Sequence, residues 1–358
     1  MSKIVVLIMI VLLVSGCNSG SNPTGAETKG GWAITSPMNF ARSGHTATLL
    51  EDGDVLVAGG DSTGRTCEVF NPQLRRWVVT GSMISGREFH TATLLQNGDV
   101  LVAGGYDVKT NRTLDSCEVY DPRTGLWTST GLMHVARRNQ SATLLPNGDV
   151  LVTGGSDNGG GNKLSSEIYD PKTGQWTVAA SMQYSRSSQI AELLPTGQVL
   201  VAGGYGVYES PAELYDYQSN RWQTTDSMAS KYSSAAAILS DGEILVSGGE
   251  WGSPSQSSAI YDYRQGKWKS VGSLLIGRYF HTATTLSNGE VLVTGGFTGS
   301  YLSECEVFNI QDSSWSTAPS LLTARGMQTA TLLNDGTVLV AGGYNGISNL
   351  KECEIYSP

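Results

Sequence analysis

The sequence predicts an all-β protein: a seven-bladed β-propeller with four antiparallel strands per blade, its ring closed by the N-terminal strand joining the C-terminal blade. Three observations carry this. A hydrophobic run ending in a glycine pair occurs seven times, at Gly59-Gly60, Gly104-Gly105, Gly154-Gly155, Gly203-Gly204, Gly248-Gly249, Gly295-Gly296 and Gly342-Gly343. The intervals of 45 to 50 residues suit a propeller and few other repeat architectures. Forty-four glycines, eight tryptophans and only 15% charged residues in 358 fit many short strands joined by tight turns. Finally, Trp32 belongs to a fourth strand with no preceding three, while Tyr356-Ser357-Pro358 follows a third strand with no fourth. Pairing the two segments removes an exposed sheet edge.

In chain order, residues 1–16 are expected to be a signal peptide. Lys3 precedes an apolar run, Ile4 to Val14, too short to span a bilayer. Val14-Ser15-Gly16-Cys17 resembles a bacterial lipobox, which implies lipidation of Cys17 and a membrane association through that lipid alone. Residues 17–30 are polar and small and read as a tether. Asn18 stands where an aspartate would favour the inner membrane, so an exported lipoprotein of the outer membrane is expected if the host has two membranes. Residues 31–358 form the propeller.

The second copy shows one blade. After Arg87, His90-Thr91-Ala92-Thr93-Leu94-Leu95 alternates as a strand does, and Asn97-Gly98 is a hairpin signal, both residues tolerating positive φ. Val100-Leu101-Val102-Ala103 is apolar on both faces, as in a strand between neighbouring sheets. Gly104-Gly105 permits a backbone approach that a side chain would block. Cys117-Glu118-Val119-Tyr120 gives a third strand, and Trp127 opens the fourth.

Glycine pair, then tyrosine or phenylalanine, then tryptophan resembles the kelch motif over residues 32 to 358. The tryptophans are Trp32, Trp77, Trp127, Trp176, Trp222, Trp268 and Trp315, and their aromatic partners Phe70, Tyr120, Tyr169, Tyr215, Tyr261, Phe308 and Tyr356. The galactose oxidase branch of that family implies a copper site with a tyrosine-histidine pair opening a first strand. The matching pairs here are Phe89-His90 and Phe280-His281, without the phenol, so no cofactor is expected. A resemblance to the kelch sialic-acid epimerase extends only to the shared repeat.

Apart from one residue missing before Lys231, the copies differ in length in one place. From the basic residue to the second glycine is 18 residues in every copy, and from tryptophan to the following Met or Leu is 6. The distance from the glycine pair to the third strand instead runs from 7 to 12. These second-to-third-strand loops share one face with the blade-to-blade connections, and loops on a rigid scaffold carry binding. They also hold the non-repeating aromatics Tyr106, Tyr205, Tyr208, Trp251, Phe297, Tyr301 and Tyr344. Such rings suit sugar stacking or a protein contact.

Of the repeating polar positions, Arg42, Arg87, Arg137, Arg186, Arg278 and Arg325 read as partners of Glu68, Glu118, Glu167, Glu213, Glu306 and Glu354, a brace between blades. Blade five loses both, with Lys231 and Ala259 in their place. Three residues on lie His45, His90 and His281, with Gln140, Gln189, Ser234 and Gln328 elsewhere; glutamine replaces histidine as a hydrogen-bond donor, so no metal is expected, and the three histidines stand as candidate binding residues. Glu88, Arg138, Tyr232 and Tyr279 are non-repeating residues beside that level and join the candidates. Cys67, Cys117, Cys305 and Cys353 occupy one repeat position and are expected to remain thiols, since equivalent strands of neighbouring blades are too far apart to be bridged. A net charge of −9 disfavours nucleic acid, and no nucleophile-base pair or phosphate loop is found. The expectation is a monomeric binding module for a glycan or protein partner, with an enzyme acting on an exported carbohydrate as the alternative.

Overall fold

Residues 30–206, 211–228, 233–250 and 252–358 are described by the computed structural model. Cys17 and the tether, Tyr208, Lys231, Tyr232 and Trp251 lie outside the described residues. Seven four-stranded antiparallel sheets form the blades, with a two-stranded hairpin added in the variable loop of blade two. In blade one the strands are Thr46–Leu49 innermost, then Val55–Ala58, Cys67–Asn71 and Arg76–Val79. Val55–Ala58 is buried throughout, consistent with an apolar run sandwiched between two neighbouring blades.

The last blade takes its outer strand from the beginning of the propeller. Gly31–Thr35 pairs antiparallel with Cys353–Ser357, placing Trp32 opposite Tyr356. The same register sets Phe70 against Trp77 and Tyr120 against Trp127 in other blades. Each such pair packs with ring centroids about 5 Å apart, 5.0 Å for Phe70 and Trp77. Trp127 then donates from Nε1 to Gly81 O in the segment leading into its blade, at 2.9 Å, so the motif's aromatics fasten outer strand to connector.

The first-to-second-strand turns depart from the expected geometry. Only the glycine takes positive φ, +85° at Gly98. Asn97 acts through its side chain, accepting from the Asp99 amide at 3.1 Å and donating to its carboxylate at 2.8 Å. At the glycine pair the need is steric: a Cβ on Gly59 would sit 2.4 Å from Arg87 O, and one on Gly60 2.4 Å from Ser43 O.

The arginines are fully buried and serve as the brace. Arg87 donates to Glu118 at 2.7 Å, to Gly104 O at 2.7 Å and to Ser116 O at 2.9 Å, all within its own blade. Its carbonyl accepts from Gly60 of the preceding blade at 3.0 Å, so one residue joins two blades. Glu118 completes the joint by accepting from the amides of Ile84 and Ser85 in the connector. Six blades repeat the ion pair, from Arg42–Glu68 at 2.8 Å to Arg325–Glu354 at 2.7 Å. The four propeller cysteines are buried thiols, Cys67 pushed up to about 12 by desolvation.

The histidine level lies between blades, not at a mouth. His45 Nε2 meets Thr329 Oγ1 of the preceding blade at 3.1 Å, and His90 Nε2 meets Thr46 Oγ1 at 3.0 Å. Gln140 makes the equivalent reach, donating to Ala103 O at 2.8 Å. Burial, and then the positive Arg42, hold the His45 imidazole down to about 3. Because the unfolded chain protonates near 6.5 and the folded chain does not, this contribution is complete above pH 6.5. It is lost as the pH falls toward 3, at about 1.4 kcal/mol per pH unit. We therefore expect H45Q, which installs the residue used at this level in three other blades, to lose less stability than the parent on going from pH 7 to pH 5. The difference should be about 2 kcal/mol by denaturant titration, and equal losses would refute the assignment.

Candidate functional site

The variable-loop face is built on a backbone pattern common to the blades. Two residues after each basic position the chain is left-handed: φ is +54° at Phe89, +54° at Asn139, +51° at Ser188, +53° at Ser233, +57° at Phe280, +56° at Met327 and +62° at Gly44. Sustained positive φ at non-glycine residues is costly and marks a backbone held by its surroundings. Here the holding bonds run around the axis from blade to blade: Phe89 N to Gly44 O at 2.9 Å, Asn139 N to Phe89 O at 3.0 Å, and Ser188 N to Asn139 O at 2.8 Å.

The residue before this turn pairs with the residue that follows the glycine pair. The bridges are Glu88 with Tyr106, Arg138 with Ser156, Ser187 with Tyr205, Tyr279 with Phe297, and Gly326 with Tyr344. Two sets of sequence candidates, those beside the histidine level and those in the variable loops, thus become one rim. Loop-to-loop bonds stiffen it. Asn158 ties blade three to blade two by accepting from Thr113 N at 2.8 Å, and Ser43 Oγ donates to Asn349 of blade seven at 3.0 Å.

Two patches emerge from this rim. On blades six and seven the rings form a continuous run: Phe280 to Tyr279 at 4.9 Å, Tyr279 to Phe297 at 5.4 Å, Phe297 to Tyr301 at 5.0 Å and Tyr301 to Tyr344 at 5.4 Å, mostly edge to face. Tyr279 is buried beneath the run, while Phe297, Tyr301 and Tyr344 are part-exposed. Burial pushes the Tyr279 and Tyr301 phenols upward. On blades two and three the Arg138 guanidinium lies 4.5 Å from the Tyr106 ring centroid, and the Tyr106 hydroxyl donates to Asn111. Glu88 beside them is half-buried; desolvation raises its carboxyl and the Arg138 charge opposes the rise. Tyr205, on blade four, is 62% exposed and bridges Ser187 through its backbone.

Of the candidates, His45, His90 and His281 are not brought to this rim; each is buried at a blade seam. Phe280 belongs to the aromatic run and was not singled out, although its place two residues after Arg278 is the place of Phe89 in blade two.

Residues 90–131, 137–183 and 278–322 match the kelch motif model. Among solved structures, the chain is similar to a fungal alcohol oxidase of the AA5 family in complex with copper, at 20% identity and a TM-score of 0.78. That match covers 92% of this chain and 77% of the oxidase. It is similar also to YjhT, at 16% identity and a TM-score of 0.62, over 79% of this chain and 99% of that one. No curated protein matches the sequence. The chain is a kelch-repeat β-propeller.

Copper does not fit the residues present. The pairs Phe89-His90 and Phe280-His281 offer no phenol, and the Nε2 atoms of the histidines are engaged between blades, His281 Nε2 against Ser247 Oγ at 3.4 Å. Among the described residues no three His, Cys, Asp or Glu side chains gather around one point.

Proposed function

We propose that the protein is a binding module whose variable-loop rim takes a glycan, with the run Phe297, Tyr301 and Tyr344 as the stacking platform. The observation that carries this reading is the chain of ring contacts across two blades, on a face whose backbone is held by bonds running from blade to blade. A preorganised apolar surface with hydroxyl groups at its edge complements the flat face and ring substituents of a sugar. A glycan array probed with the full chain tests it. Y301A and Y344A should each weaken the best binder about tenfold, the size expected for losing one buried aromatic contact. Unchanged affinity would overturn the assignment, and an array without any binder would favour a protein ligand on the same rim.

One observation favours a second reading, an enzyme acting on an exported carbohydrate. Glu88, with its raised carboxyl beside Arg138, has the character of a proton-transferring group. Product formed from an array hit, and lost in E88Q with binding kept, would support it.

We also place the propeller at a membrane surface, held by lipid on Cys17, on the strength of Val14-Ser15-Gly16-Cys17. Metabolic labelling with a fatty acid should mark the parent chain and not C17S; labelling of both would overturn the anchor.

A further inference from the structure

The seam between blades four and five differs from the other six in ways that converge on one place. Its inner strands, Ile190–Leu193 and Ala235–Ile238, pack less closely than the inner strands at any other seam. The first glycine of the pair is buried in six blades and partly open only at Gly203, the glycine facing this seam. At the other seams a histidine or glutamine crosses to the preceding blade; here the residue is Ser234, whose buried Oγ reaches no partner among the described residues. Ile238 is 44% exposed, whereas Leu49, Leu94, Leu144, Leu193 and Leu332 at this strand position are half-buried against their core clusters.

One carboxylate faces that opening. The third residue of the inner strand is threonine in five blades and alanine in blade five, but Glu192 in blade four. Strand alternation puts Glu192 on the same side as Ile190, the side from which Thr46 and Ser141 reach the following blade. Among the described residues no cation and no hydrogen-bond donor meets it, and burial alone pushes its carboxyl up to about 7. This side of the seam therefore offers apolar side chains (Ile190, Ala236, Ile238), the Ser234 hydroxyl and one acid that is uncompensated among the described residues.

We propose that this seam is a binding site for a primary alkylammonium group, its charge set against Glu192, its N–H donors shared with Ser234 and its alkyl chain against Ile190 and Ile238. An ammonium supplies the donors and charge that the acid lacks, and a short alkyl chain suits the apolar side chains. The site is separate from the rim and does not depend on the glycan reading.

Calorimetric titration of the full chain with propylamine, against propanol as the uncharged control, tests the proposal. Propylamine should bind about tenfold more tightly at pH 8 than at pH 6, because Glu192 ionises across that range while the amine stays charged. Propanol should show no such gain. E192T restores the residue of the other blades and should fold, while losing tenfold or more in affinity. S234Q, which rebuilds the crossing contact, should block the site. Binding that is independent of pH, equal for amine and alcohol, or retained in E192T would overturn the proposal, as would no binding at pH 8. Putrescine and Nα-acetyl-lysine amide then distinguish a free amine from a lysyl side chain as the source of the group.

Discussion

Deleting residues 31–37 should lower the thermal midpoint of the propeller by about 10 °C or more. These residues form the outer strand of the last blade, and all five positions of Gly31–Thr35 are paired with Cys353–Ser357. Trp32 adds a ring contact with Tyr356 at 5.1 Å and a hydrogen bond to Pro319 O at 2.8 Å. Losing one such tryptophan costs about 3–5 kcal/mol, and each kcal/mol is worth roughly 2–4 °C in a domain of a few hundred residues. The deletion also uncovers Cys353–Ser357 as an unpaired edge, the kind of edge that associates with other chains. Scanning calorimetry checks the first effect and light scattering on heating the second. An unchanged melt would mean that the closing strand contributes nothing to the ring.

Much of this was legible in the sequence because repeats expose constraints. The joint loss of the Arg87-type and Glu118-type residues in blade five marks them as partners, and constant spacings mark the rigid parts. The rim was not legible as a unit. Glu88 and Tyr106 are 18 residues apart in the chain, and their pairing depends on left-handed backbone at Phe89, a conformation that phenylalanine does not announce. Asparagine and glycine in the hairpins gave the right turn by the wrong route, since Asn97 contributes its side chain and not its backbone. The three histidines share one repeat level, and sequence shows level but not direction; in the fold they turn sideways into the seams and not toward the rim. Glu192 is the single acid among five threonines and an alanine at its repeat position, but only the opened seam beside it gives that difference a meaning.

E118A should be among the most damaging single substitutions in the propeller, costing about 3–5 kcal/mol. The carboxylate is buried and answers three donors at once: Arg87 at 2.7 Å, Ile84 N at 2.7 Å and Ser85 N at 3.0 Å. Its removal leaves a fully buried guanidinium with only neutral partners, the Gly104 and Ser116 carbonyls and the Ser116 hydroxyl, and two connector amides without an acceptor. Blade five shows what relieves this, since it carries lysine and alanine at the two positions. The double variant R87K/E118A should therefore be less destabilised than the sum of its single variants, by 2 kcal/mol or more in a denaturant-based double-mutant cycle. Strict additivity would mean that Glu118 acts only as an acceptor for the connector and that the ion pair is incidental. Coupling of the expected size would identify the pair as the joint that fixes each connector to its blade. Because the same connectors carry Glu88, Arg138 and Tyr279 to the rim, weakening the joint in blade two should also loosen Glu88 against Tyr106. Faster hydrogen exchange at the amides of Glu88 and Tyr106, which bond to each other across that bridge at 3.0 and 2.8 Å, would report it.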